Sequence, residues 1–176
     1  MKLYTGWLTE EKLGRALEIM YDAEFIHGRA FPGYRFRPDY INHDLKLVVE
    51  YNGHLHYTVA KSVLDDDIKR QIMEKEGYRV IQIPYFVQID NRVMNKLFNV
   101  YKENIEFTDF PHGFISEKCI LPADFCSLGL QRIHIEMDLF DYIREEISYS
   151  LEKKVEDLHE LLVMPCIRMS CGCSFI

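Results

Sequence analysis

Residues 37–57 read RPDYINHDLKLVVEYNGHLHY, and two extended segments are legible in them. Arg37 precedes Pro38, whose ring pushes it out of the helical region, so 36–40 is predicted to be short and extended. Leu45–Tyr51, LKLVVEY, is a β-branched run and is predicted as a strand. The pair Asn52-Gly53 ends it with a turn signal. If the two segments form a hairpin, Asp39 and Glu50 approach each other. Glu50 stands inside an apolar run, where a buried carboxylate needs a partner or a ligand. Two neighbouring carboxylates repel, and a divalent cation relieves that repulsion. Mg²⁺ takes one or two carboxylates together with waters and a phosphate, so Mg²⁺ or Mn²⁺ is the expected cofactor. An ion held there would charge a phosphate and lower the pKa of an attacking water.

The flanking sequence supplies the rest of an α/β unit. Thr9–Met20 reads as an amphipathic helix capped by Thr9, with Leu13, Leu17 and Met20 at helical spacing. HGRAFPGYR at 27–35 is a loop rich in Gly, Pro and Arg. Ser62–Glu76 is predicted as a helix stopped by Gly77. Arg79–Ile83, RVIQI, is a second strand ended by Pro84, and Arg92–Asn104 is predicted as a third helix. The strand–helix–strand order favours an α/β (α+β) fold with helices against a sheet. Ile105–Gln131 is read as loop, and Met137–Leu162 as a long helix with a stripe of Ile143, Ile147, Leu151, Val155, Leu158 and Leu162. The expected organisation is a core over 1–104 and a loop-rich, helical extension over 105–176 that packs on it.

The central stretch resembles a known family. Pro38-Asp39 followed by Glu50 is similar to the signature of the PD-(D/E)XK nuclease superfamily, although Asn52 stands at the lysine position. Glu50, Asn52, Gly53 and His56, with Asp67 and Arg70 on the next helix, resemble the very-short-patch-repair-like endonucleases of the EDxHD type. This resemblance covers about residues 36–86. It implies a restriction-endonuclease-like core with a mixed sheet flanked by helices. It implies a metal-dependent endonuclease hydrolysing DNA phosphodiester bonds, with metal on Asp39, Glu50 and Asn52. His56 is then a candidate general base, since imidazole titrates near neutrality. Lys69 stands in for the missing lysine, Arg70 grips phosphate, and Asp67 is a secondary candidate. Arg29, Arg35, Arg37 and Lys61 are expected to contact the DNA backbone.

Bulk properties bear on partners. The chain has 176 residues, 48% hydrophobic and 13% aromatic, which suits a packed core. Its net charge is −7, but the excess is local. Residues 1–104 hold 15 Lys+Arg against 15 Asp+Glu, and residues 105–176 hold 6 against 13. Phosphate contact needs local cations rather than a basic whole, so nucleic acid is expected on the first part. No membrane association is expected, and MKLYTGWLTEEK carries no apolar leader, so a cytoplasmic, intracellular protein is expected. The five cysteines are read as reduced thiols, and Cys166, Cys171 and Cys173 make only a weak zinc pattern. A homodimer through the C-terminal helix is a further expectation.

Two other functions compete with the nuclease reading. One is a catalytically weakened fold that binds nucleic acid or serves assembly, motivated by Asn52. The other is a structural protein in which Glu50 pairs with Arg37 or Lys69.

Overall fold

The computed structural model describes residues 3–108, 110, 112–114 and 121–152. Helix α1 (Glu10–Tyr21) begins where Thr9 accepts the amide of Lys12, and it stops where Asp22 turns into the left-handed region. Strands β1 (Ile26–His27), β2 (Tyr40–Asn42), β3 (Leu47–Asn52) and β4 (Arg79–Pro84) lie in that order in one mixed sheet. The first three are antiparallel neighbours, and β3 and β4 are parallel. The crossover between β3 and β4 is built from a short helix α2 (Leu55–Thr58) and the longer α3 (Ala60–Lys75). Gly77, at φ +83°, closes α3 in a conformation that costs other residues dearly.

Strand β3 alternates, as a strand covered on both faces must. Leu47 and Val49 join the larger core with Leu13, Leu17 and Ile83, and Tyr51 packs on it. Val48 joins a smaller cluster with Ile41 and with Met73 of α3. Glu50 follows Val48 on that second face. On the first face α1 comes close. Gly14 sits against the Tyr40 ring, whose hydroxyl donates to the Glu10 carbonyl at 2.9 Å, so a Cβ at Gly14 would collide.

Beyond β4 the structure departs from the sequence reading. The helix expected over Arg92–Asn104 is only α4 (Asn91–Val93) and a π-helical turn over Met94–Phe98. Asn99 adopts φ +55° and ends it, because an asparagine tolerates the left-handed region. The region read as loop up to Gln131 contains the start of α5 (Ser127–Leu139), capped by Cys126, whose Sγ accepts the Gly129 amide. The long helix expected from Met137 is interrupted. α5 ends at Leu139, a 3₁₀ turn covers Asp141–Ile143, and α6 (Arg144–Glu152) follows. The expected continuation to Leu162, and Cys119, Cys166, Cys171 and Cys173, lie outside the described residues.

Helix α5 is laid directly on α2 and α3. The Cys126 amide donates to the Tyr57 carbonyl at 3.0 Å, and a Cβ on Gly129 would overlap that carbonyl. Phe125, Ile133, Met137 and Ile147 belong to the same core as α1 and β3. Among the described residues no helix is long and apolar enough to cross a membrane.

Candidate functional site

The antiparallel register pairs Tyr40 with Val49, which sets Asp39 opposite Glu50 at the end of the β2–β3 ladder. Their backbones and carboxyls interlock. The Asp39 amide donates to Glu50 Oε2 at 3.1 Å, and the Tyr51 amide donates to Asp39 Oδ2 at 2.7 Å. Burial pushes Glu50 up to about 8, and the Asp39 charge pushes it further the same way. The Asp39 amide and the positive charge of Lys69 pull it back. Burial raises Asp39 as well, against the Tyr51 amide and the charge of His56. Near neutral pH Glu50 is therefore the member of the pair that holds a proton.

His56, in α2, is partly exposed, and its Nδ1 lies 2.5 Å from Asp66 Oδ2. Three consecutive aspartates open this face of α3, and only Asp66 is turned inward. Burial works against the Asp66 charge, but hydrogen bonds from His56 and Arg132 hold its carboxyl below the usual range. Asp67, the family-pattern position, is exposed and ion-pairs with Arg70 on its own helix. Arg70 also reaches Glu74 at 3.2 Å, and Lys61 pairs with Asp65 one turn on. The structure thus gathers Asp39, Glu50, His56 and Lys69; Lys61 is exposed, while Asp67 and Arg70 pair with each other along α3 and line the cavity between α3 and α5. Asn52 is buried at 1% exposure, with Nδ2 lacking a partner among the described residues, so it does not reach solvent beside the carboxylates.

Arg132 is the member that sequence reasoning missed. It projects from α5 and donates through Nη1 to Asp66 Oδ2 at 2.7 Å and through Nε to Glu136 Oε1 at 2.9 Å. Its Nη2 reaches Gln82 of β4 at 3.3 Å, and its guanidinium lies 5.3 Å from the centre of the Tyr57 ring. Burial raises the Glu136 carboxyl, while Arg132 and the Tyr57 hydroxyl, which donates to it at 2.7 Å, pull it down.

The arginines form a second feature. Gly28 N donates to the Asp39 carbonyl at 3.2 Å, and Phe31 N donates to the Phe36 carbonyl at 2.9 Å. The loop between β1 and β2 is therefore a closed excursion rooted at Asp39. Phe31 is buried beneath it and stacks on Phe36. Arg29, Arg35 and Arg37 are exposed, none has a carboxylate partner among the described residues, and Tyr34 in the same loop is 38% exposed, with its ring against Phe31 and Phe36.

The residues fit a divalent cation in chemistry. Two carboxyls lie side by side at the end of the β2–β3 ladder, which is the one-or-two-carboxylate arrangement that Mg²⁺ uses with phosphate and water. Among the described residues no group of three or more His, Cys, Asp or Glu side chains is assembled to hold a metal.

The chain is 28% identical over 96 residues to a cysteine–tRNA ligase of Pseudothermotoga lettingae, covering 54% of this chain and 19% of that protein. It is 28% identical over 105 residues to the cysteine–tRNA ligase of Thermosipho africanus, covering 60% and 21%. For the enzyme of Thermotoga maritima the match is 28% over 102 residues, covering 58% and 21%. The chain spans about a fifth of the length of these relatives. No family model and no solved structure matches it.

These matches correct the functional expectation. The relatives are tRNA ligases by name, so the reading of a Mg-dependent endodeoxyribonuclease, a hydrolase cutting DNA, is overturned. The resemblance over 36–86 had carried that reading on a motif alone. A paired carboxylate and a nearby histidine suit any site that meets phosphates and a cation, whatever the reaction.

Proposed function

We propose that this chain is a tRNA-binding protein in a tRNA-synthetase-related role. The observation that carries the reading is the loop between β1 and β2. Three exposed arginines without carboxylate partners among the described residues, Arg29, Arg35 and Arg37, share this loop with the exposed Tyr34, and the loop is rooted at Asp39 of the Asp39–Glu50 pair. Arginines grip phosphates, and an exposed aromatic ring stacks on unpaired bases, which a folded RNA presents and a DNA duplex does not. Similarity to three cysteine–tRNA ligases supports the same direction. In this reading Asp39 and Glu50 would hold Mg²⁺ or Mn²⁺, which would supply positive charge toward the RNA backbone. Lys69 supplies further positive charge. The sheet with α3 is then a restriction-endonuclease-like core used for binding.

A band-shift competition tests it. Labelled tRNA should be retained by the wild-type chain in millimolar Mg²⁺ and released by excess unlabelled tRNA. The Arg35→Glu, Arg37→Glu double variant should retain it at least about tenfold less well. Equal retention by that variant would contradict the assignment of the loop.

A further inference from the structure

We infer that Arg132 is a positioning residue for His56, acting through Asp66, so that the candidate site is completed only by a side chain from α5. The inference rests on the reading of the Asp39–Glu50 neighbourhood as a site facing RNA phosphates. Its argument is geometric. Asp66 Oδ2 accepts from both His56 Nδ1, at 2.5 Å, and Arg132 Nη1, at 2.7 Å. A carboxylate has only acceptors to offer, so the ring nitrogen facing it must carry the proton. His56 Nδ1 is thereby the N–H atom, and Nε2 is the atom left to face a ligand. In the neutral ring Nε2 is a lone pair, and in the charged ring it donates to a phosphate oxygen.

Asp66 alone could not hold this arrangement. It is 7% exposed, and a buried carboxylate with one partner keeps its charge poorly. Arg132 supplies the missing charge in a fixed orientation. It is itself fixed from four sides, by Asp66, Glu136, Gln82 and the Tyr57 ring. Its Nη1 also approaches the His56 carbonyl at 3.5 Å, so both the backbone and the ring of His56 answer to it. A lysine at 132 would keep the charge and could still reach Asp66. A glutamine would lose the charge.

The test reads the histidine ring. In the ¹⁵N-labelled full chain, long-range proton–nitrogen spectra above pH 8 report which ring nitrogen bears hydrogen, with His56→Gln used to assign the signal. The wild type is expected to hold His56 as the Nδ1–H form. Arg132→Gln is expected to mix in the Nε2–H form, and Arg132→Lys to restore the wild-type pattern. If Arg132→Gln does not fold, Arg132→Gln with Glu136→Gln removes the orphaned buried acid and is read instead. Wild-type His56 in the Nε2–H form, or an unchanged ring in a folded glutamine variant, overturns the inference. tRNA affinity is measured on the same samples and is expected to fall at least about fivefold in the glutamine variant. A wild type that does not bind tRNA would sink the functional reading, while the ring spectra would still decide the role of Arg132.

Discussion

The backbone amide of Asp39 donates to the carboxylate of Glu50 at 3.1 Å, so the end of one strand is tied to an acid eleven positions along the chain. This bond brings two half-buried carboxyls together, and burial and their mutual repulsion oppose the second charge. The consequences reach stability, pH response and cation binding.

Stability should fall as the pH rises toward alkaline. Glu50 is held near 8, well above its ordinary 4.5, chiefly by burial and then by Asp39. An acid raised in the folded state stabilises fully below its unfolded pKa, and that contribution is lost as pH climbs through the folded one. The window is therefore about pH 4.5 to 8, and the size is on the order of a few kcal/mol at most. Glu50→Gln should flatten this part of the profile and exceed the wild type in stability at pH 8.5. Urea unfolding of both proteins from pH 5 to 9 measures it, and parallel profiles would refute the assignment.

Millimolar Mg²⁺ or Mn²⁺ should close that gap at pH 8.5, because a cation replaces the Glu50 proton and stabilises only the folded protein. Binding should release protons near neutral pH. Calorimetry in two buffers of different ionisation enthalpy would detect the release, and buffer-independent heats would count against it.

Loss of Arg132 without compensation should be severe. Arg132→Met would strand Asp66 and Glu136 in a buried setting, at a cost of about 3–5 kcal/mol. Adding Asp66→Asn and Glu136→Gln should recover much of it, since neutral amides tolerate burial better. Urea midpoints of the three proteins give the comparison. A single variant within about 0.5 kcal/mol of wild type would mean the network is not coupled.

The close approach of α5 to α2 predicts a sharp contrast between two glycines. Gly129→Ala should cost about 2–3 kcal/mol, because the new Cβ overlaps the Tyr57 carbonyl. Gly53→Ala meets nothing within 4 Å and should stay within about 0.5 kcal/mol. Thermal unfolding of both variants separates them.

Much of the core was legible because its signals are local. LKLVVEY and RVIQI announced two strands through β-branched residues, and Thr9 and Gly77 announced helix ends through capping chemistry. The approach of Asp39 to Glu50 followed from reading a hairpin. The rest depended on tertiary contacts. Nothing in DDD at 65–67 tells which aspartate turns inward, since one step along a helix rotates the side chain by about 100°. Docking against His56 selects Asp66 rather than Asp67. Helix α5 was hidden because its apolar residues do not keep to one face. Ile133 and Met137 are buried, while Ile135 and Leu139 are 69% and 45% exposed. Arg132 looked like one more surface charge until Asp66, Glu136 and Tyr57 were seen around it. The expected function erred for a related reason, since the spacing of two carboxylates and a histidine does not specify the reaction performed there.

The most direct test of the central claim is a fluorescence titration of labelled tRNA with the full chain in millimolar Mg²⁺, repeated at several salt concentrations and against duplex DNA of equal phosphate count. The account predicts saturable binding to tRNA, at least about tenfold tighter than to the duplex. It predicts a salt slope that falls by about two when Arg35 and Arg37 are both replaced by glutamate, one for each lost phosphate contact. Binding to duplex DNA as tight as to tRNA, or no binding to tRNA at all, would contradict it.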